Sequence, residues 1–266
     1  MTASSPFIVE CLPLDADGRV FSFYTKRGGG CSTVAYASMN CTHYCGDSMD
    51  NVMANRATLI AALPHTPQRL LLPRQVHGVK VHDLRPDDLR LGDEGAQHLL
   101  DGVDAIVTAV KGVCIAVSTA DCVPLLAYSP EGVIAAIHAG WRGTVAGIVR
   151  RAVGVMTGTY GCDPARIKVY MPPSISLQAF EVGDEVYDAF AGAGFEMPSI
   201  SMRDAASCKW HIDLPEANTR LLLAEGLSRE NITASGICTY ANYQEYFSAR
   251  RLGAASGRML SGIMLI

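Results

Sequence analysis

The chain has 266 residues, of which 49% are hydrophobic, and it carries a formal net charge of −4. This apolar fraction is enough for a large buried core, and the lack of a basic stripe argues against a dedicated nucleic-acid binder. No apolar run reaches the roughly 20 residues that a membrane span needs, and residues 1–10 do not read as a secretory signal, so we expect a cytoplasmic protein without a membrane partner.

The first part of the chain predicts short strands, a glycine-rich loop and one helix. Helical spacing of apolar residues and a following proline define the helix. In chain order these elements are strands within Ile8–Tyr24 around a turn at Asp15–Gly18, the loop Arg27–Ser32, a helix at Asp50–Leu63, and strands at Leu70–Leu72 and Val76–Leu84.

The rest of the chain alternates strands with helices, which predicts an α/β fold with mixed sheets. The strands are Ala105–Ala109, Val113–Thr119, Leu125–Tyr128, Val133–His138, Ile167–Met171, Ile232–Tyr240 and Met259–Leu265. The helices are Gly143–Met156, which Gly158 should end, Asp184–Phe190 and Leu214–Glu225. No linker rich in Pro, Ser or Gly divides the sequence, so we expect a single catalytic domain over residues 1–266, and a monomer because no segment resembles a dimerisation helix.

Nine cysteines are scattered through the chain. A disulfide framework is normally dense, even in number and confined to a small secreted domain, so most of these thiols should be reduced.

Three segments combine metal-ligating residues with strand ends and glycines. They are Arg74-Gln75-Val76-His77-Gly78, Thr119-Ala120-Asp121-Cys122-Val123-Pro124 and His138-Ala139-Gly140-Trp141-Arg142-Gly143. Thiolate and imidazole are the ligands that zinc prefers, and three protein ligands leave one position for water or substrate. We therefore expect a catalytic zinc site built from His77, Cys122 and His138.

Two other interpretations of these residues stay open. A lone histidine at a strand end is more often a packing residue, and Cys122 before an apolar run fits a small buried side chain. Cys122 also fits the nucleophile of a metal-free cysteine hydrolase, with His138 or His77 as its base. Two histidines facing one cysteine favour the metal, since a catalytic dyad needs only one base.

The same three segments resemble the signature of one enzyme family, and the resemblance covers nearly the whole chain. This family was long described as multicopper polyphenol oxidases or laccase-domain proteins, and later as purine nucleoside phosphorylases. Further matches are Arg27-x-Gly29-Gly30-x-Ser32, Asn55-Arg56, Phe180-Glu181-Val182-Gly183, Cys238-Thr239, Phe247-Ser248-x-Arg250-Arg251 and Gly257-Arg258.

The resemblance implies a fold, a ligand set and an activity. The implied fold is a four-layer α/β/β/α sandwich with two mixed sheets, related to cysteine hydrolases. His77, Cys122 and His138 fall on the family's zinc ligands, and Arg56 falls on an arginine lining the same pocket. The implied activity is phosphorolysis of adenosine, inosine, guanosine and methylthioadenosine, with adenosine deamination beside it.

The resemblance also implies an alternative activity, because a bacterial branch of the family resembles a peptidoglycan-editing enzyme that removes misincorporated serine from a muramyl precursor. The older oxidase name implies copper. We hold copper as the weaker expectation, because the chain has none of the clustered His-x-His pairs that a multicopper centre needs.

The chain departs from the family pattern in two places. Pro172-Pro173-Ser174-Ile175 stands where the family usually has Gly-Pro-x-Ile, which leaves the shape of one pocket wall open. Cys41 and Cys45 stand at apolar family positions. A second metal site built from Cys31, Cys41, His43 and Cys45 is conceivable, but packing in the core is the favoured interpretation.

Roles follow from the implied reaction with a small-molecule nucleoside and phosphate. Arg27, Ser32 and Arg56, with the amides of the glycine-rich loop, are expected to hold phosphate. Arg56, Asp121 and Cys122 are the catalytic candidates. Asp121 is either a partner of the Cys122 ligand, a general acid or base, or a structural residue. Three expectations concern other charged groups. Arg142 should pack on Trp141, and Glu181 should cap the helix near Asp184. Arg250, Arg251 and Arg258 should form a solvated or interface face from which one arginine could reach a phosphate.

Overall fold

Strands and helices alternate along the chain in the structure, a computed structural model that describes residues 7–11, 14 and 18–266. The strands are β1 Ile8–Glu10, β2 Val20–Thr25, β3 Arg69–Leu71, β4 Val81–Leu84, β5 Ala105–Thr108, β6 Val113–Thr119, β7 Val123–Ser129, β8 Val133–Ala139, β9 Lys168–Met171, β10 Glu181–Val182, β11 Ser201–Arg203, β12 Trp210–Ile212, β13 Ile232–Ala234 and β14 Met259–Leu265. The helices are α1 Met49–Ala62, α2 Asp93–Leu99, α3 Trp141–Val145, α4 Ile148–Tyr160, α5 Asp184–Gly192, α6 Met197–Ile200, α7 Leu214–Ala224 and α8 Ala249–Leu252.

Two large sheets organise the molecule, and both are mixed, as predicted. The five-stranded sheet has the order β1-β2-β14-β6-β3, and only its β3–β6 pair is parallel. The six-stranded sheet has the order β13-β9-β7-β8-β5-β4, with parallel pairs at its two edges and antiparallel pairs between them. A small antiparallel sheet, β10-β12-β11, lies outside both.

The two large sheets are apolar on both faces, because each face covers a core. Alternate residues of the six-stranded sheet, such as Leu125 and Ile137, pack with residues of α4, α5 and α7, while the opposite residues, such as Leu126, share a core with β2, β6 and β14. The other face of the five-stranded sheet packs on Leu59 and Leu63 from α1 and the residue that follows it. This packing explains why β6, β7 and β8 are buried along their whole length.

The predicted helix Gly143–Met156 is two helices in the structure. Gly147, with φ of 79°, separates α3 from α4 in a left-handed conformation that glycine adopts without steric cost. Gly158 lies inside α4, and Gly161, with φ of 68°, ends it. Apolar periodicity cannot detect such a break, since residues on both sides of Gly147 face the same core.

Two other predicted elements are shorter than expected. Only Val81–Leu84 of the predicted strand Val76–Leu84 is a strand, and only Ile232–Ala234 of the predicted Ile232–Tyr240. The predicted turn at Asp15–Gly18 falls mostly outside the described residues. Among the described residues, no helix is both long enough and apolar enough to cross a membrane.

Candidate metal centre and its cavity

His77, Cys122 and His138 come together in the structure as the sequence predicts. One ligating atom from each lies within 4.8 Å of the others. His138 is buried in β8, Cys122 is half-buried in the corner between β6 and β7, and His77 is exposed in the loop between β3 and β4. The sheet therefore holds the buried His138, while His77 leaves the other side of the three residues open to solvent.

The register of the central hairpin places the cysteine beside the buried histidine. β7 and β8 are antiparallel, and Pro124 pairs with His138 while Val123 pairs with Ala139. Cys122, immediately before β7, consequently lies next to the end of β8. Asp121 turns the chain there with φ of 92°, a left-handed conformation that Asp tolerates better than most residues.

Asp104, a residue that the sequence analysis missed, organises both histidines. It lies directly before β5 and is fully buried. One carboxylate oxygen, Oδ1, is 2.8 Å from His138 Nδ1 and accepts the backbone N–H of His77 at 3.0 Å. The other, Oδ2, accepts the N–H groups of Gly78 at 2.8 Å and Val76 at 3.3 Å. The only sequence signal was its place between Gly102-Val103 and an apolar strand.

The contact with Asp104 fixes the tautomer of His138. Burial opposes ionisation of Asp104, but hydrogen bonds from His138 and the backbone outweigh it and lower the pKa of the carboxyl below its usual value. An ionised carboxylate only accepts, so Nδ1–H of His138 donates to it and Nε2 is the ring nitrogen that faces the cysteine; Nε2 offers a lone pair to a metal once the imidazole is neutral. A histidine that donates its second ring N–H to a carboxylate is the usual arrangement around a metal ligand, so these residues fit a metal ion.

Cys122 and His138 polarise each other. Burial opposes formation of the thiolate, but His138 and His77 outweigh it and lower the pKa of Cys122 to about 6. Burial likewise opposes the charged form of His138, while Cys122 and Asp104 raise the pKa of His138 to about 9. A thiolate is what a metal requires, and it is also the active form of a cysteine nucleophile.

The backbone approaches these side chains closely at Gly140. A Cβ atom there would lie 2.7 Å from His77 Cδ2 and 3.1 Å from Cys122 Sγ. Only glycine leaves room for both ligands at this point, which gives the Gly140 of the His-Ala-Gly-Trp segment a physical role.

The three residues open onto a cavity of about 500 Å³. Its polar part contains Tyr44, Gln75 and Ser118, with Tyr44 Oη and Ser118 Oγ 2.7 Å apart and the Gln75 amide bonded to the Ser118 backbone. Its apolar part includes Ile175 and Phe180. The cavity therefore offers hydrogen-bonding groups on one side and an aromatic ring on another, beside the candidate ligands.

Asp121 lines this cavity, but its carboxylate is already engaged. Oδ1 accepts the Thr239 hydroxyl at 2.7 Å, and Oδ2 accepts the Arg250 backbone N–H at 2.7 Å. The Asp121 carbonyl accepts the N–H of Ile175 at 2.9 Å. Asp121 thus ties the Cys122 corner to the Pro172–Ile175 wall and to the C-terminal segments, an arrangement that favours its structural interpretation.

Arg56 does not lie among the residues that line this cavity, although the resemblance implied that it would. Its Nε donates to the Cys41 carbonyl at 2.8 Å, and its Nη2 is 3.2 Å from His43 Nδ1. It lines a separate cavity of about 430 Å³ between α1 and β3. Arg56 is therefore connected to the candidate metal centre through the intervening residues His43 and Tyr44.

Arg27 and Ser32 also lie away from the lining of the cavity. The Arg27 guanidinium donates to the carbonyl oxygens of Ala37, at 2.6 Å, and Tyr243, at 2.8 Å. Ser32 donates to Asp47 at 2.6 Å and accepts from the Asn55 amide at 2.9 Å. These bonds hold the glycine-rich loop against α1 and the C-terminal loop, so a phosphate role for Arg27 and Ser32 stays a prediction without a place in the cavity.

The cations that do line the cavity are Arg250 and Arg258. Arg250 is exposed, donates to the Glu181 carbonyl at 2.9 Å and lies over the Phe180 ring. The sequence predicts a solvated or interface face for both arginines, from which one could reach a phosphate. Nothing local shows that the chain after β13 folds back over the end of β6.

Three smaller expectations can be placed. Arg142 stacks on Trp141, with its guanidinium carbon 4.2 Å from the ring centroid, as expected. Glu181 begins β10, and Gly183 rather than Glu181 precedes α5 as its N-cap. Among the described residues, His77, Cys122 and His138 are the one group of three metal-ligating side chains close enough to share an ion, so Cys31, Cys41, His43 and Cys45 form no second site.

Comparison with known proteins identifies relatives over nearly the whole chain. Residues 21–266 match the model of a family described as multi-copper polyphenol oxidoreductase laccase. The chain is 46% identical to a protein of Bacteroides thetaiotaomicron named purine nucleoside phosphorylase, over 95% of this chain and 94% of that protein. It is 41% identical to adenosine deaminase RL5 of an unknown prokaryotic organism, over 92% of this chain and 93% of that protein.

A solved structure has the same fold. The crystal structure of YlmD from Geobacillus stearothermophilus superposes with a TM-score of 0.89 at 31% identity and covers 99% of this chain and 97% of that chain.

Proposed function

The chain belongs to the multi-copper polyphenol oxidoreductase laccase family, and on that premise we propose that it is a zinc-dependent purine nucleoside phosphorylase that also deaminates adenosine. The observation that carries the proposal is the preformed His77–Cys122–His138 set at the edge of a cavity of about 500 Å³. The names of the two relatives supply the reaction class. We take residues 1–266 to act as a single catalytic domain and a monomer.

The donor set favours zinc over a multicopper centre. One thiolate and two imidazoles suit zinc, and the open side of the set faces the cavity, where a catalytic ion keeps a position free. A multicopper centre needs several such sets, and the part of the chain that the structure describes has one. Zinc held by these three side chains supplies Lewis acidity beside the bound substrate.

Phosphorolysis breaks the bond between the base and ribose C1′ while a phosphate oxygen forms the new bond to C1′. We place the phosphate near Arg250 and Arg258, because they are the cations that line the cavity and guanidinium groups match phosphate oxygens. The half-buried Phe180 ring offers a surface on which a purine can stack.

The departing base must be stabilised as negative charge develops on it. Burial raises the pKa of Tyr44 to about 12, so its phenol stays protonated at neutral pH and can donate a hydrogen bond to the base. Ser118 orients this hydroxyl from 2.7 Å away. Deamination uses water instead of phosphate and replaces the exocyclic amine, so the same base-binding groups serve both reactions.

Asp121 and Arg56 take supporting roles in this proposal. Asp121 holds the Cys122 corner and the cavity wall in place through Thr239 and the Arg250 amide. Arg56 supports the segment before Tyr44 through the Cys41 carbonyl. Arg27 and Ser32 position the glycine-rich loop.

The decisive experiment is metal analysis of the purified chain, followed by adenosine turnover with and without phosphate. About one zinc per chain and phosphate-dependent release of adenine would support the proposal. Copper in place of zinc, with oxidation of phenols, would return the older oxidase interpretation. Zinc without nucleoside turnover would favour the muramyl-serine precursor as substrate, which can be assayed directly.

A specific observation favours one second candidate, the cysteine hydrolase. The lowered pKa of Cys122 beside His138 is also what a nucleophilic cysteine needs. A chain without metal whose Cys122 reacts at once with an alkylating agent would support that candidate and refute the zinc site.

A further inference from the structure

Asp104 contacts both histidines of the candidate metal centre. It is the sole side chain, among the contacts of the described residues, that bonds to His138 through the ring and to His77 through the backbone. Its side chain has no exposed surface, so it cannot reach the substrate. Any influence of Asp104 on the site must pass through the histidines.

At His77, Asp104 holds the conformation of the backbone. His77 has φ of 60°, in the left-handed region that only a few per cent of residues other than glycine occupy. The N–H groups of three successive residues, Val76, His77 and Gly78, all donate to the Asp104 carboxylate. Successive amides converging on one anion hold a loop in a single conformation, and here that conformation aims the imidazole at Cys122.

At His138, Asp104 orients the imidazole ring. The carboxylate bonds to Nδ1 at 2.8 Å, which sets both the rotation of the imidazole and the nitrogen that faces the cysteine. The His138 backbone N–H also donates to the Asp104 carbonyl at 2.8 Å, so strand β8 and the residue before β5 are locked together. One residue thereby determines the direction of a ligand from a loop and of a ligand from a strand.

We propose that Asp104 is the positioning residue of the metal centre, which presets His77 and His138 in their ligating orientation before an ion binds. The inference rests on the proposed metal site. Carboxylates that hold a metal-ligating histidine commonly raise metal affinity by 10- to 100-fold, and Asp104 holds two ligands at once.

The test is Asp104→Asn, which keeps the shape of the side chain but turns one acceptor into a donor. The new NH₂ group must face either the Nδ1–H of His138 or the loop amides, all of which also donate. The matched control is Asp47→Asn, because Asp47 also accepts several hydrogen bonds, from Ser32, Asn40 and the Ser48 amide, yet none of those residues lines the cavity.

Two readouts separate positioning from general stability. Competition with a chelating dye gives the zinc dissociation constant of each folded protein, and the absorption of the cobalt–thiolate complex reports the ligand arrangement around Cys122. We expect zinc binding about 10- to 100-fold weaker and an altered cobalt spectrum in Asp104→Asn, with both unchanged in Asp47→Asn. Circular dichroism of the metal-free proteins establishes that both variants are folded.

The outcomes distinguish the two proposals. A wild-type chain that binds neither zinc nor cobalt would overturn the metal site itself. A wild-type chain that binds zinc, with the same affinity and cobalt spectrum in Asp104→Asn, would overturn only the positioning role.

Should Asp104→Asn fail to fold, Asp104→Glu makes the same test, since it keeps the charge and displaces the carboxylate by one methylene. Zinc affinity equal to wild type in Asp104→Glu would then refute the positioning role, and a weakened affinity would support it.

Discussion

Substituting Gly140 by Ala perturbs the ligand set with little direct effect on the backbone. Gly140 has φ of −71° and ψ of 167°, which any residue adopts, so the effect should come from the added methyl group alone. That carbon would lie 2.7 Å from His77 Cδ2, whereas carbon atoms in contact prefer about 3.5 to 4.0 Å. The imidazole must therefore move by about 0.8 Å or more, against a tolerance of about 0.2 Å in metal–ligand distances.

The expected result is zinc binding weaker by at least about tenfold, the size of effect that a displaced supporting group has on a metal site. His77 is exposed, so its ring can move outward, and the fold should lose less than the roughly 1–3 kcal/mol of an overpacked core. Zinc titration into the metal-free protein with a competing chelator measures the affinity, and thermal unfolding measures the stability.

Gly158→Ala is the matched control for this substitution. Gly158 lies inside α4 with open space around its Cβ position, so alanine there should stabilise the helix by about 0.5–1 kcal/mol and leave zinc binding unchanged. A Gly140→Ala protein that binds zinc as tightly as wild type would refute the reasoning, because the close contact of methyl and imidazole would then cost nothing.

Two further predictions concern reactivity and phosphate. With the metal removed, Cys122 should alkylate at nearly the same rate at pH 8 and pH 7 and slow only below its pKa of about 6, since a lowered thiol pKa keeps the thiolate populated as pH falls. Mass spectrometry measures the rate of alkylation, and added zinc should protect the thiolate. A reaction tenfold slower at pH 7 than at pH 8 would contradict the lowered pKa. Arg250→Ala should raise the KM for phosphate about tenfold or more with zinc content intact, because it removes a charged hydrogen-bond donor from the cavity but keeps the backbone N–H that binds Asp121. Arg251→Ala is its control, since Arg251 stacks on Tyr240 and Tyr243 instead, and equal effects of the two variants would remove Arg250 from the phosphate site.

The sequence pattern was sufficient to predict the bounds of strands that are buried along their whole length. Val113–Thr119 was predicted to the residue, and the β7–β8 hairpin to within two residues, because strands covered on both faces are uninterrupted apolar runs between turn residues. The pattern was insufficient in the loop before β4, where the left-handed conformation of His77 interrupts the extended chain. Val76–Lys80 alternates like a strand but is held by Asp104 instead of by a neighbouring strand.

In the candidate site, too, the sequence predicts what depends on neighbouring residues and misses what depends on contacts between distant segments. His77, Cys122 and His138 stand in short segments whose residue types, together with the family resemblance, were enough to group them. The side chains of Asp104 and Arg250 contact segments far along the chain, and no local pattern shows those contacts. Arg27 and Ser32 illustrate the opposite case: a glycine-rich loop with a cation resembles a phosphate loop, its observed hydrogen bonds are internal, and a phosphate role for these residues stays a prediction.

The central position of β14 imposes an order on biosynthesis. β14 lies between β2 and β6, and pairs such as Ser261 with Tyr24 join parts of the chain that leave the ribosome far apart in time. The five-stranded sheet therefore cannot close until residues 259–265 have been made. Met259 pairs with Thr119, the last residue of β6, from which the corner that carries Cys122 departs. The strand that leads into the Cys122 corner therefore gains its β14 neighbour only after residues 259–265 have been made.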